Sequence, residues 1–410
     1  AGYLAVRYRQ QLGAFALVPF WMAAEWLRSV VLTGFPWLSL GYSQTQSPLS
    51  ALAPVVGEIG LQFVVLVMSL ALFQLLVLLG SRTGNARRSL LATGTIFGCF
   101  LLAILLINVD WTESNGKTVN ISLVQGNVEQ SIKWQPDREL PTMEKYLNLT
   151  LPELDGADVV IWPEAAIPRL EIISSEFLIE VDRIAAETNT AVITGIVDYQ
   201  PDTNMAFNNL IVLGKKHETD EFGHYRYLHN NRFNKHHLLP IGEYIPFESV
   251  LRGLAPLFDL PMSSFSYGSF RQDNLIAKDI RLSPAICYEI AFSDQVRANL
   301  YQGDNPSDLI LTVSNDAWFG DSHGPWQHLE IAQMRALEYA KPVVRVTNNG
   351  VTAFIDAKGQ LLDSLPQFEE GVLRQELKLT RASTPYYRYG AWPIVLVVFC
   401  MTGAVLLNQR

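Results

Sequence analysis

Hydrophobic and polar positions follow two regimes along the chain. At residues 59–79 (IGLQFVVLVMSLALFQLLVLL), 90–109 (LLATGTIFGCFLLAILLINV) and 391–407 (AWPIVLVVFCMTGAVLL) apolar positions continue without a single charge. An α-helix rises about 1.5 Å per residue, so each run crosses, or nearly crosses, a hydrocarbon layer of about 30 Å. A fourth run, residues 11–32, has the length but contains Glu25 and Arg28. Three residues apart on a helix, these two can pair, either inside a bundle or on an interfacial or buried helix.

Between the third run and the last the pattern changes to short β-branched runs separated by stretches of helical period. VNISLVQG (119–126), ADVVIWP (157–163), AVITGIV (191–197), NNLIVLG (208–214), RLSPAICY (281–288), DLILTVSN (308–315), PVVRVTN (342–348) and VTAFID (351–356) read as strands. Residues 139–151, 176–187, 292–301 and 326–340 read as helices. Such alternation predicts a layered α/β domain. The expected organisation is a transmembrane helical region at 1–110, a catalytic domain at 111–388 and a C-terminal transmembrane helix at 389–410.

Composition supports a lipid-embedded part: 49% of residues are hydrophobic and only 17% charged, against about 25% charged in ordinary soluble domains. Arginines then set an orientation. Arg7 and Arg9 precede residues 11–32, Arg82, Arg87 and Arg88 lie between 59–79 and 90–109, and Arg410 ends the chain, whereas residues 33–58 contain no lysine or arginine. Under the positive-inside rule the arginine-bearing ends are cytoplasmic, and the α/β domain is exported. The opening AGYLAVRYRQ has neither a Met nor a signal peptide, which leads us to expect further spans upstream. The aromatic, Gly-rich stretches at 34–42, 263–270 and 318–320 are expected to be loops at the membrane interface. Gly94 and Gly98 offer a site for close helix packing. A net charge of -9 argues against a nucleic-acid partner, and no pattern indicates an interface helix, so a monomer is expected.

The cysteines bring in chemistry. Cys99 and Cys400 fall in apolar runs, leaving Cys287 as the sole thiol of the exported domain, without a partner for an intramolecular disulfide. In an oxidising compartment such a thiol is either packed as a small apolar residue or used. Cys287 ends the run LSPAIC, Glu164 follows DVVIWP, and Lys235 lies in HNNRFNKHHLLPIGEYIPF. Layered α/β folds gather functional groups at strand ends. A carboxylate, an ammonium and a thiol suffice for acyl transfer: the carboxylate takes the thiol proton, while the ammonium lowers the thiol pKa and stabilises the oxyanion. A tight turn after Cys287 would leave the backbone N–H of Tyr288 as a candidate second donor to the oxyanion. The histidines form no metal-ligand pattern: His236 and His237 are adjacent, with side chains that diverge in a strand, and His323 and His328 lack acidic or cysteine company.

The ordered set WPE (162–164), NKHHLLPIGEYIPF (234–247), ICYEIAF (286–292) and NDAWFG (315–320) resembles the carbon-nitrogen hydrolase (nitrilase) superfamily. The flanking spans, GEYIPF and NDAWFG narrow the resemblance to the bacterial apolipoprotein N-acyltransferases, over almost the whole chain. That resemblance implies a nitrilase-like αββα sandwich inserted between transmembrane helices, with Glu164 as general base, Lys235 as oxyanion stabiliser and Cys287 as nucleophile. It also implies supporting roles for Glu243, Tyr288 and Glu289, and a mobile arm by the site bearing Trp134. No metal and no diffusible cofactor are implied. The expected substrates are a phospholipid acyl donor, phosphatidylethanolamine by preference, and a diacylglyceryl-apolipoprotein acceptor, at the periplasmic face of a bacterial inner membrane. The same triad would serve a membrane-tethered amidase or nitrilase in which water receives the acyl group, so the triad by itself leaves both reactions open.

Overall fold

The computed structural model describes residues 2–3, 13–80, 86–240, 242–244, 265–300, 306–382 and 384–407. Arg7, Arg9, Arg82 and Arg410, four of the arginines behind the expected orientation, lie outside the described residues, as do residues 245–247 of GEYIPF and 263–264 of the aromatic stretch. The helices are α1 (Leu17–Val30), α2 (Ala53–Gly80), α3 (Ala86–Leu106), α4 (Glu139–Thr150), α5 (Ser175–Glu187), α6 (Ser293–Leu300), α7 (Gly324–Tyr339), α8 (Pro385–Tyr389) and α9 (Trp392–Leu407). The strands are β1 (Thr112–Gln125), β2 (Val159–Ile161), β3 (Ile167–Leu170), β4 (Ala191–Gln200), β5 (Met205–Gly214), β6 (Arg232–Asn234), β7 (Leu275–Ala277), β8 (Ile280–Ile286), β9 (Leu309–Ser314), β10 (Val343–Thr347), β11 (Ala353–Ile355), β12 (Leu361–Ser364) and β13 (Gly371–Ala382). Two units form: Ala1–Trp111 with Leu337–Ala340 and Ala382–Arg410, and Thr112–Ala336 with Lys341–Arg381.

The first unit is helical. The backbone of α2 breaks at Gly57 (φ +66), which leaves residues 58–80 as a continuous helix of about 35 Å, and the 21 residues of α3 extend about 32 Å; both are enough to cross a membrane. At 16 residues, α9 reaches about 24 Å and nearly crosses. Val18, Met22 and Leu66 are buried among Trp21, Phe63, Ile394 and Val398, so α1, α2 and α9 share a small core. Outer residues of α2, α3 and α9, such as Phe73, Leu79, Phe97 and Phe399, remain exposed. Apolar side chains uncovered over whole helix faces call for a surrounding other than water. Glu25 and Arg28 pair with each other on α1. A β-carbon on Gly94 or Gly98 would meet nothing within 4 Å, so among the described residues this pair does not serve close helix packing. In the 34–42 stretch Trp37 and Tyr42 are buried and Phe35 and Leu38 exposed, which leaves only part of that loop for an interface.

The second unit is a two-sheet sandwich. One sheet runs β13-β1-β2-β4-β5-β6 with β3 also on β4, and the other runs β12-β11-β10-β9-β8-β7. Each has a parallel centre, β1-β2-β4 and β8-β9-β10. Side chains alternate across a strand, and both faces are apolar in the first sheet. Ile121, Val159, Ile161, Ala191 and Ile193 meet Leu282, Leu309, Leu311 and Val344 between the sheets. Val160, Val192, Ile211 and Leu213 point the other way, onto Met143 and Tyr146 of α4 and Leu178, Val181 and Ala185 of α5. The eight expected strands and four expected helices of this unit are present, with boundaries shifted by a few residues. The long edge strand β13 was not anticipated. Its alternation was legible, since Leu373, Leu377 and Leu379 are buried with Arg374, Glu376 and Lys378 between them. Its charged face masks it as a loop, as befits a sheet edge.

Candidate active site

The parallel strands end together, and the chemistry-bearing residues follow those ends. Beyond β2 the Trp162 indole donates to Thr150 Oγ1 at 2.7 Å, fixing the turn that carries Glu164. Ala165, next in that turn, has φ +48. Gly195 on β4 lies directly beneath it: a β-carbon there would stand 2.4 Å from Ala165 N, 2.6 Å from Pro163 O and 2.8 Å from Glu164 Cα. Lys235 follows β6, its N–H donating to Asn208 O at 2.8 Å and its carbonyl accepting from Gly268 N at 2.9 Å. Cys287 leaves β8 with φ +54 and opens the 3-10 turn Cys287–Ala291. A left-handed non-glycine residue costs about 1–3 kcal/mol, a strain held here by the packed turn. Within it Tyr288, Glu289, Ile290 and Ala291 are buried, whereas Cys287 keeps part of its surface open.

Glu164, Lys235 and Glu243 meet directly. Lys235 Nζ lies 3.1 Å from Glu164 Oε1 and 2.9 Å from Glu243 Oε1. Asn208 Nδ2 donates to the same two oxygens at 2.7 and 3.0 Å. Glu164 Oε2 accepts from Asn315 N at 3.0 Å, and Glu243 Oε2 from Leu239 N at 2.8 Å. Burial works to raise the Glu164 pKa, but Lys235, Asn208 and Lys133 together hold it below the ordinary carboxylate value. Burial likewise works against the Lys235 charge, and Glu164 and Glu243 overcome it, so the ammonium persists far above neutral pH. Cys287 sits in the field of both Glu164 and Lys235. Burial first and then Glu164 push the thiol up to about 12, more than Lys235 and Ser314 pull it down. Lys235 does pull the thiol pKa down, as expected, but burial and Glu164 outweigh it, so the resting Cys287 side chain is S–H.

Glu289 has a different task. Its Oε1 accepts from His236 N at 2.7 Å, His237 N at 3.1 Å and Gln295 Nε2 at 2.9 Å, and its Oε2 accepts from Ile286 N at 2.8 Å. One buried carboxylate thus ties the residues after Lys235 to the residue before Cys287. His236 and His237 lie in the loop after β6 rather than in a strand, on different partners: His236 Nδ1 faces Gly268 O at 2.7 Å, and the His237 ring stacks on Phe292. Trp134 is half-buried in the turn beside Lys133.

Residues not singled out from sequence complete the surroundings. Asp316 accepts from Ser314 Oγ at 2.6 Å and from Arg345 Nη2 at 2.5 Å, and lies 3.1 Å from His328 Nδ1. The other His328 nitrogen is 3.1 Å from Cys287 O, so a buried Arg-Asp-His chain ends on the carbonyl of Cys287. Asn208, Asn315 and Asp316 carry one common signal, a polar residue inside or just beyond an otherwise apolar strand, whereas His328 sits among other polar residues of α7 and carries none.

A two-sheet α/β sandwich with carboxylate, ammonium and thiol gathered at the ends of its parallel strands defines a carbon-nitrogen hydrolase fold. Residues 120–385 match the family model described as carbon-nitrogen hydrolase, and residues 1–71 match the apolipoprotein N-acyltransferase N-terminal domain. Among similar proteins, the apolipoprotein N-acyltransferase of Vibrio cholerae is 46% identical over 95% of this chain and 74% of its own. Those of Photobacterium profundum and Haemophilus influenzae are 42% and 40% identical, over 95% and 96% of this chain and 72% and 73% of their own. The chain belongs to the apolipoprotein N-acyltransferase family. It is an acyltransferase.

Proposed function

We propose that the chain moves a fatty acyl group from a phospholipid to the free α-amine of the diacylglyceryl-cysteine of an apolipoprotein, through a thioester on Cys287. Cys287 Sγ attacks the ester carbonyl while Glu164 takes the thiol proton, and the oxyanion forms against the Lys235 ammonium. The C–O bond breaks, Glu164 returns the proton to the departing alkoxide, and a lysophospholipid leaves. The α-amine then attacks the thioester, Glu164 takes a proton from nitrogen, and the C–S bond breaks. An amide remains, and the proton passes to the thiolate. One site serves both half-reactions, so the kinetics are ping-pong.

The observation that carries this reading is the Glu164–Lys235 contact at 3.1 Å with the strained Cys287 turn in the field of both. Glu243 holds Lys235, Glu289 and Tyr288 support the turn, and Trp134 guards the way in. The acyl donor is phosphatidylethanolamine, and the enzyme works as a monomer. It spans a bacterial inner membrane several times, its sandwich inserted between helices on the periplasmic face, which brings two lipid-anchored substrates to one thiol.

Intact-mass spectrometry after incubation with phosphatidylethanolamine tests the proposal. A fatty-acyl increment on Cys287, discharged by a diacylglyceryl lipopeptide far faster than by water, is expected. Discharge by water at an equal rate, or N-acylated lipopeptide formed at the parental rate by Cys287→Ala, would refute it.

A further inference from the structure

Glu164 and Glu243 each place an oxygen on the same ammonium, Lys235, and on the same amide, Asn208. Two carboxylates crowded onto one cation in a dry site tend to take up a proton, which removes one of them as a base. A second positive charge is needed to keep both ionised. Lys133 is buried at 1% exposure, and its Nζ donates to the carbonyl oxygen of Glu164 at 3.3 Å. It forms no ion pair with any carboxylate among the described residues, so its charge is not consumed by a closer partner.

The turn carrying Lys133 is fastened to the same place a second time. Lys133 N and Ile132 N donate to Glu129 O at 3.1 and 3.2 Å. From this turn Gln130 Oε1 accepts from Asn315 Nδ2 at 2.6 Å, and Asn315 N donates to Glu164 Oε2 at 3.0 Å. Backbone and side chain of Glu164 are therefore both tied to residues 129–133.

We propose that Lys133 is a positioning residue for acyl transfer: a second buried ammonium that balances Glu164 and Glu243 against Lys235 and so holds Glu164 as the proton acceptor. The count closes at two carboxylates and two ammoniums. Burial lowers the Lys133 pKa to about 8 and Glu164 acts to raise it, so the side chain is charged throughout the acidic range in which Glu164 takes up its proton. The ionisable groups facing this set are Lys235, Glu243, Cys287 and, behind Cys287, Asp316 with His328 and Arg345.

The inference rests on Glu164 being the base, and the experiment separates the two. Single-turnover thioester formation on Cys287 is followed by intact mass across pH for the full chain, Lys133→Met, Lys133→Arg and Glu164→Gln, with Lys133→Gln as a second neutral variant should Met pack badly. The neutral variants are expected to move the acidic limb to higher pH by about one unit, a loss of about tenfold on that limb that shrinks as pH rises, and Lys133→Arg is expected to restore the limb. An equal loss at every pH, or an unmoved limb, overturns the role given to Lys133 while a slow Glu164→Gln leaves the mechanism standing. Parental rates in Glu164→Gln would overturn the mechanism and the inference together.

Discussion

Gly195 offers a sharp test of how closely Glu164 must be placed, because the perturbation is one carbon atom. In Gly195→Ala the new methyl would stand 2.4, 2.6 and 2.8 Å from three backbone atoms of the Pro163, Glu164 and Ala165 turn. Carbon contacts settle at about 3.5–4.0 Å, so the strand or the turn has to give by about 1 Å. Gly195 is held in the middle of β4 by its pairing with Leu210, and β4 has a parallel partner on its other side, so the turn gives. Glu164 then leaves Asn208 and Asn315, whose bonds of 2.7 and 3.0 Å do not survive such a shift. Misplacement of a reacting group by about 1 Å costs on the order of 10²-fold in rate. Thioester formation in a single turnover should fall by about that factor, with binding of the phospholipid little changed, because Gly195 is buried beneath the 163–165 turn. The assay is stopped-time intact mass of the acyl-enzyme at saturating phospholipid, alongside a thermal-inactivation curve. A folded Gly195→Ala protein within about threefold of the parent rate would refute the reasoning.

Lys235→Met should lose more activity than Glu243→Gln, since the first removes the ammonium proposed to stabilise the oxyanion whereas the glutamine amide oxygen still reaches that ammonium; equal losses in the same assay would contradict the ranking. Glu289→Gln sets an amide N–H₂ against at least one of four N–H donors, which costs about 1–3 kcal/mol. Its midpoint of thermal inactivation should fall, and an unchanged midpoint would show that the carboxylate is not the tie described. Because the thiol is pushed up to about 12, the 240-nm thiolate absorbance of the protein minus that of Cys287→Ala should stay flat to about pH 9, where an ordinary cysteine near about 8.5 has mostly ionised. The sign follows from the raised pKa, which keeps S–H the favoured form over the whole neutral range; a thiolate step below pH 8 would overturn it.

What was legible in the sequence and what was not divides along a physical line. Glu164 and Cys287 stand where an apolar run breaks at a polar residue, a signal that a strand has ended, and strand ends in parallel sheets are where side chains face a crevice. Gly195 inside AVITGIV gave no such signal, because a glycine in a strand reads only as a weak strand residue until the neighbouring turn is seen lying on it. Lys133 gave no signal either, for a related reason: its burial is imposed by the approach of Glu164 from another segment. The thiol pKa is the most instructive case. From sequence, a lysine near a cysteine implies a stabilised thiolate, and the structure does place Lys235 in its field. Two effects that only tertiary packing supplies, the dryness of the site and the ionised Glu164 within it, outweigh that attraction. In the proposed mechanism a thiol that stays protonated until attack requires its proton to leave as the carbon-sulfur bond forms, and this makes the ionised state of Glu164, rather than any standing charge on sulfur, the quantity that the surrounding residues are arranged to protect.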